Sequence, residues 1–218
     1  MGIGVGYNEG MIWGFFDDPI SGLLMFGALL LAITVHEFAH AWVADYMGDP
    51  TARLQGRLTL NPLAHLDLIG TLFLIMVGFG WGKPVPVDDY NLSNPKKDMA
   101  LIALAGPVSN LVTGGVAALI LRFLPLNLPE AVTHGFLFFI SLSLILAFFN
   151  LMPLYPLDGS KILMSLLPDD VAVEVDYFLK EYSFILLVLM LLPLVGGRSV
   201  ISVFLSPLIN MGMRLLVG

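Results

Sequence analysis

The sequence predicts an all-α polytopic membrane protein with about five to six transmembrane helices, folded as a single domain over residues 1–218. Hydrophobic residues make up 57% of the chain and charged residues only 12%, which is far more apolar than a soluble domain. Several apolar runs approach the roughly 20 residues that cross a bilayer as a helix. The chain contains no cysteine, so disulfides and thiolate metal ligands are excluded.

Apolar runs give the order of the predicted elements. Spans are expected at about 20–47, 99–123, 134–153 and 176–196, with a last one at about 199–217. The run at 68–80 has only about 13 apolar residues and breaks at a glycine-rich stretch, so it predicts a re-entrant segment. Short β-strands are expected on either side of it, at 57–61 and 83–87, and Pro84 and Pro86 confine the second to a sheet edge.

The basic residues predict the orientation of the chain. A re-entrant segment leaves the end of the first span and the start of the second on the same face. Most of the ten Lys and Arg residues fall on that face, which the positive-inside rule makes cytoplasmic. We therefore expect a multi-pass protein of the cell membrane. The residues counted on this face are Arg53, Arg57, Lys83, Lys96, Lys97, Lys161 and Lys180.

A pentad, His36-Glu37-Phe38-Ala39-His40, lies inside the first predicted span. Ionisable residues within a membrane are costly and indicate a functional site. Residues four apart share one helix face, so His36 and His40 can bind one zinc ion, with Glu37 beside them as a general base. Zinc and a carboxylate base are suited to amide hydrolysis in a site that opens toward the cytoplasm. In a soluble helix, a surface Glu with unrelated histidines would be an equal alternative.

Asp158 is the candidate for a third metal ligand. A catalytic zinc normally has three protein ligands and keeps one position open. Asp158 follows the proline-broken end of a predicted span, on the same face as His40. Asp158-Gly159 could also be a turn or a helix N-cap, but the pentad favours ligation. The sequence thus predicts one Zn²⁺ per chain, held by His36, His40 and Asp158.

Three ordered motifs resemble the site-2 protease family of intramembrane zinc metalloproteases. They are the pentad, the stretch Ala-Gly-Pro-Val-Ser-Asn at 105–110, and the stretch at 150–159 that ends in Leu-Asp-Gly. The stretches at 48–62 and 82–87 further resemble the small stand-alone prokaryotic branch. The resemblance implies that His36, His40 and Asp158 ligate zinc and that Glu37 is the base.

Different roles are expected for two asparagines in these motifs. Asn150 matches a family asparagine near the zinc, which implies a catalytic role in positioning substrate or stabilising an oxyanion. A purely structural hydrogen bond to a neighbouring helix is the alternative for Asn150. Asn110 follows small residues and is interpreted as a helix-packing residue.

The predicted function is an intramembrane zinc metalloprotease that hydrolyses peptide bonds in or near transmembrane segments of membrane-anchored proteins, as in regulated intramembrane proteolysis. The expected partners are a transmembrane protein or peptide substrate and the lipid bilayer, and no basic stripe suggests nucleic acid. A membrane metal-ion transporter is one alternative, although it would place polar groups along several spans. A catalytically inactive protein that binds transmembrane helices is another, but it would not need Glu37.

Cleavage of a transmembrane helix requires local unwinding, because its backbone groups are bonded internally. We expect the sheet edge at 83–87 to pair with the unwound substrate. His65 has no partner at ligand spacing and is expected at the membrane interface.

Overall fold

The computed structural model describes residues 19–77, 81–124, 128–194 and 196–218, which form a helical protein. The helices are α1 (Pro19–Tyr46), α2 (Thr51–Leu54), α3 (Leu68–Val77), α4 (Pro95–Phe123), α5 (Glu130–Asn150), α6 (Asp158–Leu166), α7 (Asp169–Leu191) and α8 (Val200–Leu216). The short helix α2 and the apolar helix α3 lie between the long helices α1 and α4.

Three helices, α1, α4 and α5, are long and apolar enough to cross a membrane, with 28, 29 and 21 residues. They correspond to the first three predicted spans, and each packs against the other two. Small residues permit close contact: a Cβ on Gly114 of α4 would lie 3.1 Å from Cβ of Ser143 on α5. Around this contact lies a buried core of Ala32, Ala117, Ala118, Phe139, Ile140 and Leu144.

The predicted fourth and fifth spans are not confirmed. The helix α7 carries two aspartates in its first turn and further charges at Glu174, Asp176 and Lys180, and it is not among the described helices that are long and apolar enough to cross a membrane. The helix α8 is apolar but has only 17 residues. The described part of the chain therefore contains three candidate spans where about five to six were predicted.

The two predicted β-strands are not found, because the described residues at 57–61 and 83–87 adopt no strand conformation. One isolated antiparallel bridge joins Leu66 to Gly82 instead. Pro84 and Pro86 have no N–H for a ladder. The carbonyl groups of Lys83 and Pro84 already accept hydrogen bonds from Nη2 and Nη1 of Arg57, at 2.6 and 3.1 Å. The segment is therefore held by the buried Arg57 side chain together with this single bridge, and not by a strand ladder.

The helix α3 has ten residues, which agrees with a segment too short to be a perpendicular span. Asp67 caps its start, since its Oδ1 accepts from the Gly70 N–H at 2.8 Å. The backbone carbonyl of Trp81 lies 2.2 Å from the position that a Cβ on Gly70 would take. The chain that follows α3 thus packs, at Trp81, against the first turn of this helix. The predicted break at 78–80 lies outside the described residues.

Asp49 ties the end of α1 to the chain before α4. Its fully buried carboxylate accepts hydrogen bonds from Thr51 N and Oγ1 at 3.1 and 2.5 Å, from Asp88 N at 2.8 Å and from Asn91 Nδ2 at 2.9 Å. Burial raises the pKa of Asp49, but these hydrogen bonds outweigh burial and hold the pKa below its usual value. The carboxylate is therefore ionised at neutral pH and keeps this connection closed.

The placement of His65 at the membrane interface stays a prediction, and the structure shows what its side chain contacts within the protein. The residue is fully buried in the loop between α2 and α3. Its Nε2 lies 2.8 Å from the carbonyl oxygen of Thr59, and its own carbonyl accepts from Lys83 N at 2.8 Å. His65 therefore joins the two ends of the loop that contains α3.

Candidate metal centre

The structure brings His36, His40 and Asp158 together at one point. His36 and His40 are one turn apart on α1, and Asp158 is the first residue of α6. All three are buried, with relative exposures of 6%, 7% and 8%. The two Nε2 atoms are 3.0 Å apart, and Oδ2 of Asp158 lies 3.2 Å from Nε2 of His36 and 3.3 Å from Nε2 of His40.

Asp158 reaches this point because the chain turns sharply after α5. A Cβ on Gly159 would lie 2.3 Å from the carbonyl oxygens of both Leu151 and Met152, so only glycine allows α6 to start so close to the end of α5. Leu157, and not Asp158, occupies the N-cap position, and no side chain caps this helix. The N-cap alternative for Asp158 is therefore wrong, and the carboxylate is directed to the imidazoles.

Hydrogen bonds on the outer nitrogens orient both imidazole rings. Nδ1 of His36 lies 2.5 Å from Oδ1 of Asn110, and Nδ1 of His40 lies 2.7 Å from the carbonyl oxygen of Ile102. The amide of Asn110 is oriented in turn, because its Nδ2 donates to the Ala32 carbonyl at 3.1 Å. Both partners accept hydrogen bonds, so each Nδ1 carries the proton and each Nε2 has a free lone pair.

This donor set fits a metal ion. With both imidazoles neutral, two Nε2 lone pairs and a carboxylate oxygen repel each other across 3.0–3.3 Å, and a metal ion between them removes this repulsion. A tetrahedral zinc with bonds of about 2.0–2.2 Å separates neighbouring ligand atoms by about 3.3 Å. Histidines that donate their other N–H to an oxygen are the usual arrangement at protein zinc sites. The three predicted ligands therefore form a nitrogen- and oxygen-based site of the size that zinc requires.

Sequence reasoning missed two residues of α4 that complete the site. Asn110 was interpreted as a packing residue, but it holds the His36 ring. Gly106 lies directly over the ligands, since a Cβ there would be 2.4 Å from Nε2 of His40 and 2.6 Å from Nε2 of His36. The only sequence signal was their place in the stretch at 105–110, four residues apart on one helix face.

Glu37 lies beside the metal ligands without touching them. Within the described residues its half-buried carboxylate accepts no hydrogen bond, and its Oε1 lies 3.8 Å from the position that a Cβ on Gly82 would take. Burial lowers the pKa of the Arg57 guanidinium, and the negative charge of the Glu37 carboxylate partly offsets that effect. The carboxylate therefore faces the segment that Arg57 holds in place.

Asn150 is the predicted site residue that the structure does not join to the others. Its Nδ2 donates to the carbonyl of Leu146 in its own helix, at 3.0 Å. One of its two N–H groups is used in this bond, and the other is available to a further partner.

Comparison with known proteins supports the same class of site. The sequence profile of Peptidase family M50 matches residues 24–135 and 127–193. YwhC of Bacillus subtilis (strain 168), named as a candidate zinc metalloprotease, is 38% identical over 191 residues, covering 84% of this chain and 84% of YwhC. Rip2 of Mycobacterium tuberculosis (strain ATCC 25618 / H37Rv), also named as a candidate zinc metalloprotease, is 31% identical over 145 residues, covering 63% of this chain and 54% of Rip2.

A more distant relative is Stage IV sporulation protein FB of Bacillus subtilis (strain 168), 28% identical over 151 residues, which cover 63% of this chain and 48% of that protein. No solved structure gave a significant match to the chain.

Three candidate spanning helices around a buried His-His-Asp cluster that could hold a metal ion fit a membrane metalloprotease. The chain belongs to peptidase family M50, the site-2 protease family. The resemblance found in the sequence motifs is thereby confirmed.

The close contact at Gly106 gives a test of the metal centre. We expect Gly106→Ala to reduce bound zinc at least tenfold, because the added methyl group overlaps the Nε2 atoms of both histidines. Zinc per purified chain is measured by mass spectrometry of the metal. The control is Gly115→Ala in the same helix, where a Cβ meets nothing within 4 Å. Full zinc in the Gly106 variant would contradict the steric role, and equal loss in both variants would implicate the helix instead.

Proposed function

We propose that this protein cleaves peptide bonds in or near the transmembrane segments of membrane-anchored proteins, with one Zn²⁺ held by His36, His40 and Asp158. The observation that supports this most strongly is the convergence of three buried lone-pair donors within 3.3 Å. Family membership supplies the reaction class, hydrolysis by a zinc metalloprotease. The substrate follows from the setting, since the ligands lie among helices suited to a bilayer.

Zinc, when bound, activates water and polarises the carbonyl group of the peptide bond. Glu37 is proposed as the general base that accepts a proton from the attacking water and passes it to the leaving amine. Its carboxylate is half-buried, neighbours His36 in sequence and has no competing hydrogen bond within the described residues. Asn110 and Ile102 keep the imidazole protons on Nδ1, so that both Nε2 lone pairs stay directed into the site.

Asn150 is proposed to donate its second N–H to the oxygen that gains negative charge during attack. Amide donors directed at such an oxygen are effective where water is excluded. The bond to the Leu146 carbonyl fixes the plane of the amide and limits the directions that the second N–H can take. The structure gives Asn150 no contact with the metal ligands, so the role requires a substrate that lies between them.

The transporter alternative is less well supported by the three spanning helices. Away from their ends, these helices carry ionisable side chains only at His36, Glu37 and His40. Transport across the bilayer needs polar groups along the whole path. The binding-protein alternative gives no reason for Glu37, which is not among the residues that can hold the metal.

We propose that the site opens toward the cytoplasm. The end of α1, the start of α4 and the start of α6 all meet at the metal centre, and Lys97 and Lys161 are among the basic residues on these segments. The positive-inside rule then places this end in the cytoplasm. The proposal extends to α3 as a re-entrant segment beside the site.

Labelling of single cysteines would test this orientation, because the chain has none of its own. Lys97→Cys and Phe123→Cys lie at opposite ends of α4. In right-side-out vesicles, an impermeant maleimide is expected to label the Phe123 variant at once and the Lys97 variant only after permeabilisation. The reverse pattern would overturn the orientation.

Replacement of Glu37 by Gln tests the proposed reaction. The variant is expected to keep its zinc but to cleave single-span reporter proteins in liposomes about 10²- to 10⁴-fold more slowly. The matched control is Glu174→Gln on an exposed surface of α7, which should cleave like the wild type. Cleavage products and zinc content are measured on the same preparations.

Two results would contradict the proposal. Wild-type rates in the Glu37 variant would remove Glu37 as the base. Zinc passage into the liposomes by a wild-type protein that cleaves none of the reporters would favour the transporter.

Two substitutions separate the roles of Asn150. Asn150→Ala removes both N–H groups, whereas a serine hydroxyl in Asn150→Ser can still donate to the Leu146 carbonyl four residues earlier. Both variants are expected to lower kcat about 10²- to 10³-fold with KM and zinc content unchanged. If Asn150→Ser cleaves at the wild-type rate, the residue serves only its own helix.

A further inference from the structure

Two arginines face one cavity far from the metal centre. The cavity has a volume of about 670 Å³ and lies between the end of α4, the start of α5 and the end of α8. Arg122, in the last turn of α4, and Arg214, in the last turn of α8, supply its charge, and Thr133 of α5 adds a hydroxyl group. Much of the remaining wall is apolar, with side chains that include Leu121, Leu124, Leu128, Leu215 and Val217.

No acidic side chain neutralises these arginines within the described residues. None lines the cavity, and neither Arg122 nor Arg214 takes part in an ion pair in this part of the chain. The acidic residue at the start of α5, Glu130, instead lies 3.8 Å from His134 and does not line the cavity. The cavity therefore combines two arginines that form no ion pair in this part of the chain with mostly apolar side chains, and Gly218 also lines it.

The position along α4 places this cavity at a membrane interface. Gly106, which lies over the Nε2 atoms of both histidines, and Arg122 are sixteen residues apart (122 − 106), or about 24 Å at 1.5 Å per residue. The hydrocarbon core of a bilayer is about 30 Å thick. A metal centre near one interface thus puts the arginines near the opposite interface, at the depth of lipid head groups.

We propose that the cavity binds an anionic phospholipid. The two guanidinium groups would bind oxygens of the phosphate, for which their planar donor arrangement is suited. Thr133 would donate to or accept from the head group, and the leucines would cover the start of the acyl chains. The volume of about 670 Å³ falls within the range of small-molecule sites. Inorganic phosphate shares the charge of this ligand, but it would leave the apolar wall without a partner.

Native mass spectrometry of the delipidated full chain in detergent tests the proposal, with phosphatidylglycerol as the probe. The wild type is expected to retain one lipid at least tenfold more tightly than the double variant Arg122→Gln, Arg214→Gln. The control is the double variant Arg53→Gln, Arg198→Gln, which removes the same charge from exposed positions outside the cavity and should bind like the wild type. Inorganic phosphate at millimolar concentration is expected not to displace the lipid.

Several outcomes would overturn the proposal. Equal lipid retention in both double variants would indicate only unspecific lipid around the helices. Displacement by inorganic phosphate would indicate a small-anion site.

Zinc content reports folding independently of the cavity. If the glutamine variant does not fold, the Arg122→Lys, Arg214→Lys variant replaces it. This second variant keeps the charge but loses the planar donors, so at least threefold weaker binding is expected and unchanged binding would overturn the proposal.

Discussion

The repulsion among three lone-pair donors is the constraint on which the rest of the structure depends. His36, His40 and Asp158 lie 3.0–3.3 Å apart in a buried position. With both imidazoles neutral, such a group needs a positive charge at its centre. To hold it, the chain must fix two ring orientations and bring a carboxylate from a segment that is 122 residues from His36. The hydrogen bonds of Asn110 and Ile102 and the turn before α6 are the means by which it does so.

Glycine makes this geometry possible at two places. Gly106 lets α4 lie against the imidazoles, and Gly159 lets α6 begin against the carbonyls at the end of α5. At either position, a side chain larger than hydrogen would overlap a histidine ring or a backbone carbonyl. The same helix face of α4 thus provides the gap at Gly106 and, one turn later, the amide of Asn110 that orients His36. The close approach of α4 to the imidazoles and the orientation of the His36 ring therefore both depend on the packing of α1 against α4.

The sequence predicted the parts of the site that depend on local spacing. His36 and His40 follow from helix geometry alone, and Asp158 followed from the count of ligands that zinc needs. The contact between Asn110 and His36 joins residues 74 positions apart, and no local pattern reveals such a pair. The strand expected at 83–87 is not found, and there the carbonyls of Lys83 and Pro84 accept from Arg57, a contact across 26 residues that no local pattern reveals. The span expected at 176–196 is not confirmed, and the charges of Asp176 and Lys180 fall within that range.

The helix α4 connects the metal centre to the proposed lipid cavity. Gly106 lies over the two Nε2 atoms, and Arg122 lines the cavity sixteen residues later (122 − 106), about 24 Å along the same helix. A lipid phosphate held by Arg122 and Arg214 would fix the depth of α4 in the bilayer. Because Gly106 and Asn110 belong to the same helix, the bound phosphate would fix the depth of the metal centre as well. The position at which a transmembrane substrate meets Glu37 would then be set from the opposite side of the membrane, by a contact that takes no part in the chemistry.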